Sequence, residues 1–87
     1  MNRGEIILNE TAAKYGMGVR ELTAHSRFHY IVKIRHEAIY RIKAETRYSG
    51  PQIAKIMNRD ATTILWALKS YAARTGLPRL EGLGKND

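Results

Sequence analysis

Cysteine is absent from the sequence. Disulfides, thiolate zinc sites and a cysteine nucleophile are thereby excluded. Acidic residues are scarce: 8 Asp and Glu stand against 15 Lys and Arg, a formal charge of +7 with a pI near 10.1. Proline occurs only at Pro51 and Pro78, each near an expected element boundary. No stretch approaches the roughly 20 apolar residues that a membrane span requires. The first ten residues, MNRGEIILNE, lack the charged-then-apolar layout of a signal peptide. A cytoplasmic location is the default expectation. No GxxxxGK[ST] loop occurs, so no nucleotide is expected as a ligand. Neither an activated nucleophile nor a catalytic pair of carboxylates can be assembled, which argues against an enzyme and against a cofactor. Period-two alternation and Asn-Gly or Asp-Gly hairpin signals are also missing, and strands are not expected.

What is present is a short, basic, helix-forming chain. Its 87 residues suit one domain. A chain of this size buries only roughly 60–65% of its extended surface, so modest stability is expected. The excess of positive charge suggests a polyanionic partner. Nucleic acid comes first, an anionic membrane surface second, and simple solubility is the plain alternative. Apolar residues recur at helical spacing.

The expected fold is all-α with about five helices. The first spans about residues 3–15 with Ile7, Ala12 and Tyr15 inward, and Gly16 and Gly18 stop it. A short second helix covers about 19–23. A third spans about 28–46, with Ile31, Ile34, Ala38 and Ile42 forming its buried stripe. Lys33, Arg35, Lys43 and Arg47 fall largely outside that stripe. Ser49 can cap a fourth helix that tolerates Pro51 in its first turn and ends near Met57. Asn58 and Arg59 make a tight turn, and Asn tolerates a left-handed backbone. Asp60 is a natural cap for the fifth helix, whose expected buried stripe is Ala61, Ile64, Leu65, Leu68 and Ala72. Gly76 and Pro78 end it. Residues 1–76 are expected to form the domain and residues 77–87 a flexible tail.

Two helices joined by so short a turn have a helix-turn-helix layout, here formed by the last two. Ala54 is small enough for close approach, Asn58 sits at the turn, and Ile64 packs back across it. Thr62, Thr63, Trp66 and Lys69 then face outward. Short hydroxyls beside unpaired backbone N–H groups suit phosphates and base edges, and a threonine methyl suits the thymine methyl. Asp60 serves as a cap, a base reader, or both. Trp66 is either a core-edge ring or an exposed one. Lys33, Arg35, Lys43 and Arg47 form a cluster suited to gripping phosphates. His25, His29 and His36 raise the question of a metal, but no carboxylate or thiolate completes a ligand set, and none is expected. Near DNA their protonation would instead add pH-dependent affinity.

Beyond these features, residues 7–74 resemble the C-terminal DNA-binding domain of the bacterial chromosomal replication initiator, DnaA. The resemblance is carried by AAKYGMGVRELTAHSR, IVKIRHEAIY, SGPQIAKIM and RDATTILWAL, in that order. It implies a minor-groove role for Arg27, a phosphate role for Lys43, and backbone contacts at Gly50 and Pro51. It implies major-groove reading by Asp60 and Thr62, with Thr63 on a phosphate or base. Ala61 stands where the family has its central base-reading histidine, and Trp66 where it has a later one. Gly50 replaces the usual leucine.

The leading expectation is therefore sequence-preferring binding of double-stranded DNA through Arg27, Arg59 and the tip from Asp60 to Thr63. A small regulator of replication or transcription without ATPase activity, from a phage or mobile element, fits this reading. The alternative is a protein-interaction module that keeps the fold and binds an initiator or another partner through Trp66. A homodimer is compatible with either. RNA binding finds no RNP-type aromatic motif.

Overall fold

A computed structural model describes residues 1–80. Five helices follow one another: α1 (Arg3–Lys14), α2 (Val19–Thr23), α3 (His29–Glu45), α4 (Gly50–Met57) and α5 (Ala61–Thr75). The described residues contain no strand, and the all-α expectation holds.

Local chemistry sets the boundaries. Asn2 and Glu5 form a capping box at the start of α1, with bonds of 2.8 and 3.0 Å. Ser49 and Gln52 do the same for α4. In each box two backbone N–H groups that have no partner within the helix donate to the two side chains. α5 stops at Gly76, whose φ of 75° costs a glycine little.

The core gathers around α3, which packs against α1 and α5 along its length and meets α2 and α4 at its flanks. Ile39 and Ile42 on α3, Ile53 and Met57 on α4, and Ile64 and Leu68 on α5 are sealed from solvent, as is Leu22 on α2. Each such side chain contributes roughly 1.5–3 kcal/mol through burial. Because α3 is enclosed on several sides, its buried surface is wider than one stripe. It takes in Ile39 and Tyr40 as well as Ile31, Ala38 and Ile42, while Ile34 is only half-buried.

Three expectations are corrected. Leu65 is exposed, and Ala67 occupies the inward position on α5 beside Ile64 and Leu68. One residue turns a helix by about 100°, and from Ile64 the inward heading returns at three and four residues on, at Ala67 and Leu68, not at Leu65. Tyr15, at the end of α1, is exposed rather than inward. The segment after α5 is docked where it is described. The Tyr40 hydroxyl donates to the Pro78 carbonyl at 2.6 Å, and Leu80 is buried in the core cluster. Residues 81–87, expected as part of the tail, lie outside the described residues.

Candidate nucleic-acid interface

α4, its turn and α5 form a two-helix unit held by backbone geometry. Asn58 adopts a left-handed conformation, φ 57° and ψ 46°, that reverses the chain in one residue. The Arg59 amide can then donate to the Ala54 carbonyl at 2.9 Å. Asp60 caps α5 by accepting from the Thr63 amide at 2.8 Å. Hydrogen bonds from the Thr63 backbone, then from its hydroxyl, hold the Asp60 carboxyl below the usual carboxylate range. The tip of α5 thus presents an ionised cap, an exposed Thr62 and half-buried Ala61 and Thr63. Trp66, 64% exposed, and exposed Lys69 follow on the outer face. The ring is not at a core edge.

An open groove runs in front of this unit. Pro51 and Lys55 of α4, Asn58, Asp60 and Thr63 line it, and His25 reaches it from the segment between α2 and α3. Lys55 is not among the residues the sequence pattern points to, whereas His25 is, among the histidines expected near DNA. Lys55 was legible there, since Ile53, Ala54 and Met57 face inward and leave it outward. The place of His25 in the groove needed the tertiary fold. At Gly50 an added Cβ would meet nothing within 4 Å, so the backbone that opens α4 is approachable.

The loop that carries exposed Arg27 is anchored by two arginines. Arg35 of α3 donates from Nε to the Leu22 carbonyl at 2.7 Å and from Nη2 to the carbonyls of Ala24 and Ser26 at 3.0 and 3.2 Å. Arg59 donates from Nη1 to the Thr23 carbonyl at 3.0 Å and from Nη2 to the Ala24 carbonyl. Both guanidinium groups converge on Ala24. These bonds satisfy the open end of α2. Burial, then the nearby Arg59 charge, lowers the Arg35 pKa from its ordinary value.

The expected phosphate cluster is therefore dispersed. Arg35 is buried and spent on carbonyls, not on a surface. Lys43 is buried too, with Nζ donating to the Tyr48 carbonyl at 3.0 Å. Arg59 is half-buried and committed to α2. Arg47 is exposed just after α3. Lys33 is exposed but opens onto a different groove, beside Tyr71 and Arg74. Long aliphatic stems let Arg and Lys cross apolar packing to reach a carbonyl, which a charge pattern does not reveal. Among the histidines, burial and the charges of Arg74 and Arg35 push His36 down to about 4, so it stays neutral near neutral pH. No group of three His, Cys, Asp or Glu among the described residues is placed to hold a metal ion.

The sequence matches the family model of the bacterial DnaA protein helix-turn-helix over residues 5–70. That span begins in α1 and ends within α5. The chain belongs to this DnaA family. It is 36% identical over 69 residues to the chromosomal replication initiator protein DnaA of Roseiflexus castenholzii, a match covering 78% of this chain and 14% of that relative. No solved structure gives a significant match. In DnaA terms, the matched region takes in the Arg27 loop, the two-helix unit and Trp66, while residues 71–80, with the docked Pro78 and Leu80, lie beyond it. None of the described helices is long and apolar enough to cross a membrane.

Proposed function

We propose that this DnaA-type domain binds double-stranded DNA with sequence preference. The first turn of α5 enters the major groove, and Arg27 reaches the adjacent minor groove. One observation carries the reading: the exposed, capped tip of α5 lines an open groove that His25 also lines, and Arg59 ties the loop bearing His25 and the exposed Arg27 to the turn. Thr62, exposed on the first turn of α5, suits base edges. With Arg35, Lys43 and Arg59 engaged internally, Arg27, Arg47, Lys55 and Lys69 are among the exposed cations left for phosphates. Such a domain would act by occupying sites, as a regulator of replication or transcription. This chain spans only 14% of its DnaA relative, so the proposal concerns DNA recognition.

Titration against a mixed-sequence duplex tests it. About four phosphate contacts give a slope of log affinity against log salt near −4. A flat salt response rejects the reading. Thr62→Ala should erode the preference among duplex sequences, with about 1–3 kcal/mol of discrimination lost at one base pair, while non-specific affinity stays close to the parent. Selection from a randomised duplex pool measures this. Equal weakening on every sequence would reassign Thr62 to a phosphate.

Trp66 supports a second reading. A ring this exposed on the outer face of α5, with Leu65 beside it, suits a protein partner. Trp66→Ala then leaves duplex binding intact and abolishes capture of that partner. If Trp66→Ala instead weakens duplex binding as much as Thr62→Ala does, the ring belongs to the DNA face.

A further inference from the structure

A second groove lies away from the tip of α5. Tyr15 at the end of α1, Tyr30 and Ile34 on α3, and Tyr71 on α5 supply its apolar walls, with Lys33 and Arg74 at its rim. Tyr71 and Arg74 are 9 and 12 residues beyond Thr62, which places them about 14 and 18 Å farther along the helix axis. Beside the groove, the Phe28 ring stacks on Tyr30 at a centroid distance of 6.4 Å. Phe28 and Tyr30 are 69% and 61% exposed. Phe28 carries no polar atom that would justify contact with water. Contiguous exposed rings bordered by charge mark an interaction surface.

The charges select the occupant. Glu37 reaches the same groove, but Lys14 Nζ bonds its carboxylate at 2.7 Å and the Tyr15 hydroxyl donates to it at 2.5 Å. Lys14 and Glu37 cancel. Lys33 and Arg74 remain without an ion pair among the described residues, leaving the groove cationic. The Arg74 guanidinium lies 5.3 Å from the centre of the Tyr71 ring, which holds its charge at the apolar wall. The other carboxylates of the described helices are engaged elsewhere. Glu10 and Glu45 pair with Arg41, while Glu5, Glu21 and Asp60 serve helix starts.

We infer that this groove binds an acidic peptide segment of a partner protein, one apolar side chain seated among Tyr15, Tyr30, Ile34 and Tyr71, and flanking carboxylates on Lys33 and Arg74. A nucleic-acid backbone fits less well, since it brings a regular run of phosphates to a groove with two free cations and the Glu37 carboxylate in its wall. An acidic peptide brings few charges and an anchor that fills the apolar space. The site is independent of the proposal that the tip of α5 binds DNA.

The test uses the full chain and short dye-labelled peptides with Asp and Glu around a single Phe or Leu, followed by fluorescence anisotropy. Controls replace the anchor with Ala, or the acids with Asn and Gln. Tyr30→Ala and Arg74→Glu are the protein variants. Both residues are at the surface, and thermal melts verify that each variant folds. Saturable binding is expected for the anchored acidic peptide only, with each variant weakening it at least about tenfold. Affinity for duplex DNA should change by less than about twofold for Tyr30→Ala. Several results overturn the inference: no saturable peptide binding, equal binding of the anchorless peptide, parental affinity in both variants, or a single-stranded oligothymidylate binding more tightly than the peptide with the same dependence on Tyr30.

Discussion

Arg35→Ala should remove about 3–4 kcal/mol of folding stability, the largest loss expected from any one charged residue in this chain. The guanidinium holds the carbonyls of Leu22, Ala24 and Ser26, and it is buried while doing so. A hydrogen bond to a charged group is worth about 1.5–3 kcal/mol, and a buried acceptor left alone adds its own desolvation cost. The three bonds do not add fully. Arg59 still reaches Ala24, and water can enter the space the side chain leaves. Against the roughly 5–15 kcal/mol that stabilises an ordinary domain, the loss is large for a chain of this size. Arg35→Lys keeps the charge but not the fork that reaches several carbonyls, so it should fall between parent and alanine variant. Urea unfolding measures all three proteins. An unchanged midpoint in Arg35→Ala would show that the open end of α2 is content with water.

Arg27→Ala should give the largest loss in DNA affinity, about 1–3 kcal/mol or roughly 5- to 150-fold on a preferred site. Arg27 is exposed and forms no hydrogen bond or ion pair within the described chain, so stability should hardly move. Arg59→Ala tests how Arg27 is presented. In that variant the Thr23 carbonyl loses its anchor to the turn, and the loop gains freedom that binding must then remove. The two losses should combine to less than their sum, because a loosened loop matters little once Arg27 is gone. Fluorescence anisotropy on one duplex, with the four proteins of the cycle at one salt concentration, gives the coupling. Strictly additive losses would mean that Arg59 acts on binding independently of Arg27.

The parts of this molecule that could be read from the sequence are those set by neighbours in the chain. The Ser49 cap, the left-handed Asn58 and the Asp60 cap depend on bonds within a few residues, and all stand in the structure as local chemistry requires. The five helices were legible for the same reason, through spacing and stop signals. What escaped depends on partners that a chain reversal or the tertiary fold supplies. Lys43 meets the Tyr48 carbonyl only because the chain turns back after α3, and Arg59 meets α2 across 35 and 36 positions. Both read as surface charges because an amphipathic stem conceals where its head ends up. Leu65 was misassigned since a hydrophobic residue next to a buried one looks like a continuation of the stripe. The docked segment at Pro78 depends on the long-range bond from Tyr40 and on the burial of Leu80 in the core, neither of which the residues flanking the proline reveal. The tip of α5 was visible as a candidate from its capping and hydroxyl pattern. That His25, rather than His29 or His36, lines the groove at that tip and that Lys33 is detached from it were not, because each depends on how α2 and α3 are set against α5.

If Arg27 and the tip of α5 contact DNA together as proposed, the convergence of Arg35 and Arg59 on the Ala24 carbonyl would make the domain a gauge of helical phase. On duplex DNA, one inserted base pair between two contacted segments advances the second by about 3.4 Å and rotates it by roughly 35°. A pair of contacts on a slack linker would absorb that step. Here the segment bearing Arg27 is stapled to the pivot of the recognition helix. The correct bases in the wrong phase would therefore be refused as firmly as the wrong bases.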